Sequence, residues 1–175
     1  YGGAYAMTRQ LLAGGCRRIA HLRGPEGNFE SLERERGYRA ALAAHGGGVV
    51  PQVLDGDFTE ESGYHAGRAL VALRERPDAV FAANDMMAIG CLFALSEGGL
   101  RVPQDIALGG FDDIPIARYV SPPLATVRID IAAMGRLALE QLVAQMEAGE
   151  AAERVQVTLP TELVPLASCG GQGST

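Results

Sequence analysis

The 175-residue chain carries 15 basic and 21 acidic side chains, a net charge of −6, 47% hydrophobic residues and 23 glycines. That composition supports a buried core and excludes disordered and fibrous classes. No apolar run approaches the roughly 20 residues that span a bilayer, no basic-then-apolar leader opens the chain, and no basic stripe suits nucleic-acid binding by this chain alone.

The chain opens into a helix, Ala4 to Ala13, which Gly14–Gly15 closes. Arg18–Gly24 (RIAHLRG) reads as a strand. Ser31 is an N-cap type ahead of a helical stripe, Tyr38, Ala41, Leu42 and His45, at i, i+3, i+4 and i+7. Gly46–Gly48 follow it as a turn. A strand at Gln52–Asp55 precedes Thr59, an N-cap type whose followers Glu60–Glu61 suit a helix's positive end. Pro77 ends that helix, and Ala79–Ala83 is the next strand. Asn84 caps a helix with the stripe Met86, Ile89, Gly90 and Phe93, which closes at Gly98–Gly99 ahead of Pro103. Ile106–Phe111 and Ala125–Ile129 read as strands. Asp130 caps a helix with Ile131, Met134, Ala138 and Leu142 on one face, and Val155–Leu159 reads as a last strand. The small, polar tail Ala167–Thr175 is expected to fray.

Strands apolar on both faces, alternating with helices, mean a parallel sheet covered by helices: an α/β fold of Rossmann-like type. Such a domain ordinarily begins with a strand. The helix at the start predicts that the N-terminal part of the domain lies outside this chain.

All basic residues are arginine. The absence of lysine removes Schiff-base chemistry, the P-loop lysine and lysine general bases. Cys16, Cys91 and Cys169 are odd in number and far apart, and His21, His45 and His65 form no metal-ligand pair. Neither a disulfide framework nor a zinc site is expected, and a reducing cytoplasm fits. There is no G-x-S-x-G, and Gly46–Gly48 and Gly170–Gly173 do not follow a strand and open a helix. The Asp112–Asp113 pair lacks the lysine that a phosphoacceptor site would use. No catalytic residue, metal or cofactor is expected, and the chain is not read as an enzyme.

In open parallel sheets, ligands bind beyond the C-terminal strand ends. There stand Gly24–Pro25, Phe58, Asn84 with Asp85, and Phe111 with Asp112 and Asp113, with Arg34 early in its helix. Carboxylates accept from vicinal hydroxyls, Arg and Asn donate, and an aromatic ring stacks on a sugar's C–H face. Each residue has a plainer reading. Asn84 can be only a cap, Asp113 can cap a turn before Pro115, Phe58 can be core, and Arg34 can be one of the solvated charges of ERER. Arg34, Phe58, Asn84 and Asp112 at matching strand ends favour a ligand site.

The segments GGAYAMTRQLLAGGCRRIAHLRGP, ERERGYRAALAAHG, DGDFTEESGYHAGRAL, RPDAVFAANDMMAIG, GGLRVPQDIALGGFDD and YVSPPLATVRID resemble the effector-binding domain of lactose-repressor-type (LacI/GalR) transcription regulators. The resemblance covers nearly the whole chain. It implies a periplasmic-binding-protein-like type I fold, two Rossmann-like subdomains joined by three crossover strands, with the first subdomain incomplete. The implied crossovers fall near Gly24–Pro25, Pro122–Ile129 and Thr161–Pro165. The first subdomain would be 1–24 plus 123–160, the second 26–121 plus 163–169, and 170–175 a flexible tail.

The resemblance also implies roles. Its cleft arginine falls on Arg34, its aromatic after Gly-Asp on Phe58, its ligand-facing asparagine on Asn84 and its aspartate on Asp112. Ile129 stands where many members have a polar residue, which implies a less polar ligand face there. The implied role is cytoplasmic sensing of a small-molecule effector, a sugar or nucleoside-like compound, by a homodimer. Operator DNA would be bound only through a helix-turn-helix headpiece absent from this chain. The dimer contact is expected around Met86, Ile89, Phe93, Leu100, Tyr119, Val120 and Pro122–Pro123. The alternative is a fragment of a periplasmic sugar-binding protein of a transport system, which shares the fold.

Overall fold

The computed structural model describes residues 1–46, 48–148 and 155–170. In chain order the elements are α1 (Gly2–Ala13), β1 (Ile19–Leu22), α2 (Phe29–His45), β2 (Gln52–Leu54), α3 (Glu60–Ala72), β3 (Ala79–Ala82), α4 (Asp85–Glu97), β4 (Ala107–Gly109), β5 (Thr126–Ile129), α5 (Ile131–Ala148) and β6 (Thr161–Val164). Short 3₁₀ turns lie at Pro115–Arg118 and Ala167–Cys169.

The first four strands form one parallel sheet in the order β2-β1-β3-β4. Its side chains alternate with the period of two that a pleated strand imposes. Ala20, Leu22, Val80, Ala82 and Leu108 face α3 and α4, where they meet Leu70, Met87 and Leu95. Ile19, Ala79, Phe81 and Ala107 face α1 and α2, where they meet Met7, Leu11, Tyr38 and Leu42. Both faces are covered, so the strands read as unbroken apolar runs. At about 25 cal/mol per Å² of apolar burial, these two clusters supply the main driving force for folding.

Four helices begin on side-chain caps, α5 on Asp130, whose Oδ1 accepts from Ala133 N at 2.8 Å. The Asn28 side chain accepts from Ser31 N at 2.9 Å, Thr59 from Ser62 N at 3.2 Å, and Asn84 from Met87 N at 2.9 Å. Asn28, not Ser31, therefore opens α2. Both are capping types three residues apart, and Ser31 ends up buried one turn inside.

β5 extends the sheet past β4 through Gly110 N→Ala125 O and Asp112 N→Val127 O, both 2.8 Å, and pairs antiparallel with β6. Ser168 Oγ then donates to Leu108 O at 2.6 Å and accepts from Ala125 N at 2.7 Å, which ties the end of the described chain to β4.

Several expectations need correction. Residues 1–24 do not form a body apart from 26–121. β1 is hydrogen-bonded on both sides, by β2 and β3, and α1 packs on α2 and the same sheet. β1 is therefore an interior strand. Val155–Leu159 forms no strand, and the last strand is Thr161–Val164. The tail is not frayed from Ala167, because Ser168 and Cys169 are buried. Residues 171–175 of the expected tail, and Gly47 of the expected turn, lie outside the described residues. α5 stands off the sheet, with Ile131, Met134, Leu139, Leu142, Val143 and Met146 exposed. Residues 155–159 share a groove with it, lined by Met134, Ala138, Val155 and Val157. Among the described residues no helix is long and apolar enough to cross a membrane.

Candidate functional site

The carboxyl ends of β1 to β4 face one edge, and the four candidate residues meet there. Arg34 comes from the second turn of α2 and is 8% exposed. Its Nη1 donates to Ala83 O at 2.5 Å, at the end of β3, and its Nη2 lies 3.5 Å from Asp112 Oδ1 and 3.7 Å from Glu30 Oε2. The guanidinium sits over the Phe111 ring at 4.1 Å and 5.8 Å from the Phe58 ring centroid. A planar cation is thus held against two aromatic rings and two carboxylates, an arrangement that fixes its fork.

Phe58 follows β2 with φ 72°, and its ring covers Gly24 at the end of β1. A Cβ at position 24 would overlap that ring, so glycine there is a packing requirement. Asn84 serves two partners. Its Oδ1 accepts from Met87 N, capping α4, while its Nδ2 donates to Phe58 O at 2.9 Å. The plain capping role is real, and the same side chain locks the Phe58 loop; one amide N–H is left for a ligand.

Asp112 follows β4 with φ 115°, and Asp113 has φ 56°. Non-glycine residues held in this region cost about 1–3 kcal/mol each and gather at ligand sites. Burial pushes the Asp112 carboxyl up to about 6, although Arg34 opposes the shift. Arg34 itself is lowered by burial, against the pull of Asp112, Glu30 and Asp85. Desolvation therefore outweighs mutual attraction for both partners at this separation. Asp112 keeps part of its side chain open, at 24% exposure. It can accept from a hydroxyl while Arg34 donates beside it.

Asp113 turns away from the site. It accepts from Arg128 Nε at 2.6 Å and Arg118 Nη2 at 3.2 Å and anchors the turn before β5. Ile129 faces the second core cluster.

Asp85 holds the site together, a role that no local sequence signal shows. It is fully buried. Its backbone N donates to Phe111 O at 2.8 Å, and its carboxylate accepts from Thr126 Oγ1 at 2.7 Å and Ile114 N at 3.0 Å. One side chain thereby fixes α4, the Gly110–Ile114 loop and β5 against each other. Gly110 is glycine because a Cβ there would meet the Asp85 carboxylate. Burial raises the Asp85 carboxyl to about 7, the Thr126 and Ile114 hydrogen bonds opposing and the Asp112 and Asp113 charges adding. Phe111, at the strand end beside Asp112, is the other residue the site depends on, through its ring under Arg34.

The arrangement offers donors, acceptors and aromatic faces on one rigid edge, and it holds no nucleophile with an adjacent base. Among the described residues no group of three His, Cys, Asp or Glu side chains is placed to hold a metal ion.

A family model for the periplasmic binding protein-like domain matches residues 8–169. The HTH-type transcriptional regulator CelR of Thermobifida fusca is 38% identical over 164 residues, 93% of this chain and 48% of that protein. The lactose operon repressor of Rhizobium radiobacter is 45% identical over 108 residues, 62% of this chain and 94% of that protein. Among solved structures, a CelR–cellobiose complex superposes with a TM-score of 0.89 at 39% identity, covering 95% of this chain and 51% of that one. A lac repressor dimer bound to operator and the anti-inducer ONPF superposes with a TM-score of 0.85 at 30% identity, covering 95% and 57%. The chain spans about half the length of CelR.

Proposed function

The chain belongs to the periplasmic-binding-protein-like domains of LacI-family transcriptional regulators, and on that premise we propose that it is an effector-sensing region whose ligand is a small sugar. The observation that carries this reading is the Arg34–Asp112 pair, set between Phe58 and Phe111 beside Asn84 on one sheet edge. Adjacent hydroxyls of a sugar ring match a carboxylate acceptor next to a guanidinium fork, and the ring's C–H face matches an aromatic wall.

Ligand binding works here by population shift. A sugar that makes these contacts better in one arrangement of the intact regulator favours that arrangement in proportion to the difference in affinity. The change is read out as altered operator binding through a DNA-binding headpiece, in the cytoplasm. No reaction is catalysed. The intact protein is a homodimer that uses the exposed Met86, Phe93, Ile116 and Tyr119 side chains around α4 and the Pro115–Arg118 turn. Ile89, Leu100 and Val120 contribute less to that contact, because they pack against the chain's own core.

Cellobiose is the first probe, since a CelR–cellobiose complex is a structural neighbour; ribose, lactose and a purine complete the panel. In the intact regulator, one of these should change operator affinity, and Asp112→Ala should weaken that ligand about tenfold or more, the cost of one charged hydrogen bond. A Kd unchanged by Asp112→Ala would overturn the assignment of the site.

A further inference from the structure

The sheet end opposite the candidate site carries a cluster of arginines. The chain has no basic stripe in sequence and a net charge of −6. Folding nevertheless gathers arginines where β1 and β3 begin. A cavity of about 630 Å³ is lined by Arg18, Arg74 and Arg76 together with Glu75, Asp78, Gln104 and Asp105. An adjoining concavity shares Arg18, Glu75 and Pro77 and adds Arg17.

Two of the acidic groups here are already engaged. Asp78 Oδ1 accepts from the backbone N–H of Arg17 and Arg18 at 3.0 and 2.8 Å, and its Oδ2 from Arg17 N at 3.0 Å. Asp105 is held by Arg101, through Nη2 at 2.7 Å, Nε at 2.8 Å and backbone N at 2.8 Å. The arginines are not engaged in that way. Among the described residues, no carboxylate lies within 4.0 Å of the side chains of Arg17, Arg18, Arg74 or Arg76, whereas Arg36, Arg39, Arg101, Arg118 and Arg128 all have one. Two of the free forks are also oriented. Arg18 Nε donates to Arg76 O at 3.0 Å, and Arg76 Nε donates to Val71 O at 3.0 Å. Each Nε is thereby satisfied by backbone, and the two terminal nitrogens of each guanidinium remain for an acceptor.

We propose that this cavity is a second binding site, for a small, multiply charged oxyanion of the phosphate-monoester class. Guanidiniums from two elements can grip the oxygens of one tetrahedral anion bidentately. The cavity offers no aromatic wall, so a neutral sugar finds little there. It is a small concavity, which suits a compact anion; nucleic acid requires a run of phosphate contacts. The site lies across the sheet from Arg34 and Asp112 and stands or falls independently of the sugar-sensing reading.

The test is calorimetric titration of the protein with inorganic phosphate, glucose 6-phosphate and glucose, for the wild type, Arg18→Gln, Arg76→Gln, Asp112→Ala and Arg68→Gln. Arg68 is an exposed α3 arginine that does not line the cavity, and its substitution removes the same charge. Saturable binding of glucose 6-phosphate and phosphate is expected, with none of glucose at this site. Arg18→Gln and Arg76→Gln should weaken it about tenfold or more, from loss of charge-assisted hydrogen bonds. Arg68→Gln and Asp112→Ala should leave it unchanged. Arg18→Lys and Arg76→Lys keep the charge without the fork and should fall between, which separates lost recognition from misfolding. Equal weakening by Arg68→Gln, or no saturable binding by the wild type, would overturn the proposal. So would displacement of bound phosphate by an acidic peptide or duplex DNA at lower concentration, because the site would then serve a macromolecule.

Discussion

Arg34 and Asp112 face each other at 3.5 Å, yet the arginine gives its short hydrogen bond to Ala83 O, not to the carboxylate. The ion pair is therefore loose, and burial dominates Asp112, whose carboxyl is raised to about 6. The acceptor that a polyhydroxy ligand needs is the ionised form. Affinity should be constant well above pH 6 and fall as pH drops through it, by about tenfold one unit below that pKa if ionisation is required. Calorimetry with the effector at pH 7.5 and pH 5 checks this. Asp112→Asn should bind more weakly at pH 7.5 and lose the pH step.

Asp85→Ala removes the acceptor shared by a buried Thr126 hydroxyl and a half-buried Ile114 N–H. Each orphaned group costs about 1–3 kcal/mol, so a loss of at least about 2 kcal/mol in urea unfolding is expected. Thr126→Val, which removes one donor while nearly preserving shape, should cost less. If Asp85→Ala matched the wild type in stability, Asp85 would not be the bracket between α4 and β5.

The helices and the first four strands were legible because periodicity is a local property. Ile19, Ala20 and Leu22 belong to an apolar run in the sequence because helices cover both faces of the sheet. The convergence of Arg34, Phe58, Asn84 and Asp112 on one sheet edge was legible because their positions follow from the strand and helix ends. The Asp85–Thr126 bond was not, since a hydroxyl 41 positions away leaves no mark around Asp85. The arginine cavity was hidden for the same reason: Arg17–Arg18 and Arg74–Arg76 become neighbours only when β1 pairs with β3. Val155–Leu159 has the composition of a strand, but composition does not supply a neighbour, and among the described residues it pairs with none. The place of residues 1–24 within the four-stranded sheet depends on strand order, which apolar patterning does not encode.

Gly24→Ala places a methyl where the Phe58 ring lies. The ring must move, and its backbone is held by the Asn84 side chain at Phe58 O. Overpacking of this kind costs about 1–3 kcal/mol, and because the displaced ring forms part of the site, effector affinity should fall with stability. Pairing Gly24→Ala with Phe58→Leu relieves the overlap. Recovery of stability without recovery of affinity, read by thermal unfolding and calorimetry on the same samples, would separate packing from recognition.

The last prediction concerns His21, at the centre of the sheet. Its ring stacks between Tyr38 at 5.1 Å and Phe81 at 4.9 Å, its Nδ1 is 2.9 Å from Phe81 O, and its Nε2 is buried with no hydrogen-bond partner. The Nδ1 contact requires the proton on Nδ1, so the neutral ring is satisfied there and leaves Nε2 as a bare acceptor. A second proton would have to go on Nε2, in an apolar layer. Burial accordingly depresses this imidazole from 6.5 to about 4, with the Phe81 carbonyl opposing. A depressed folded-state pKa gives stability that is fully present above 6.5 and lost as pH falls through about 4, because the unfolded chain takes up the proton first. The loss by pH 4 is on the order of 3 kcal/mol. Asp85 and Asp112 slope the other way: their raised pKa values make the folded state gain protons, hence relative stability, as pH falls from 7 toward 4. The total curve therefore mixes both signs, and the contribution of His21 is read only as a difference. His21→Phe keeps the aromatic stack and cannot be protonated. The stability of His21→Phe relative to the wild type should rise by a few kcal/mol between pH 7.5 and pH 4.5 in urea titrations, and parallel curves for the two proteins would refute the assignment.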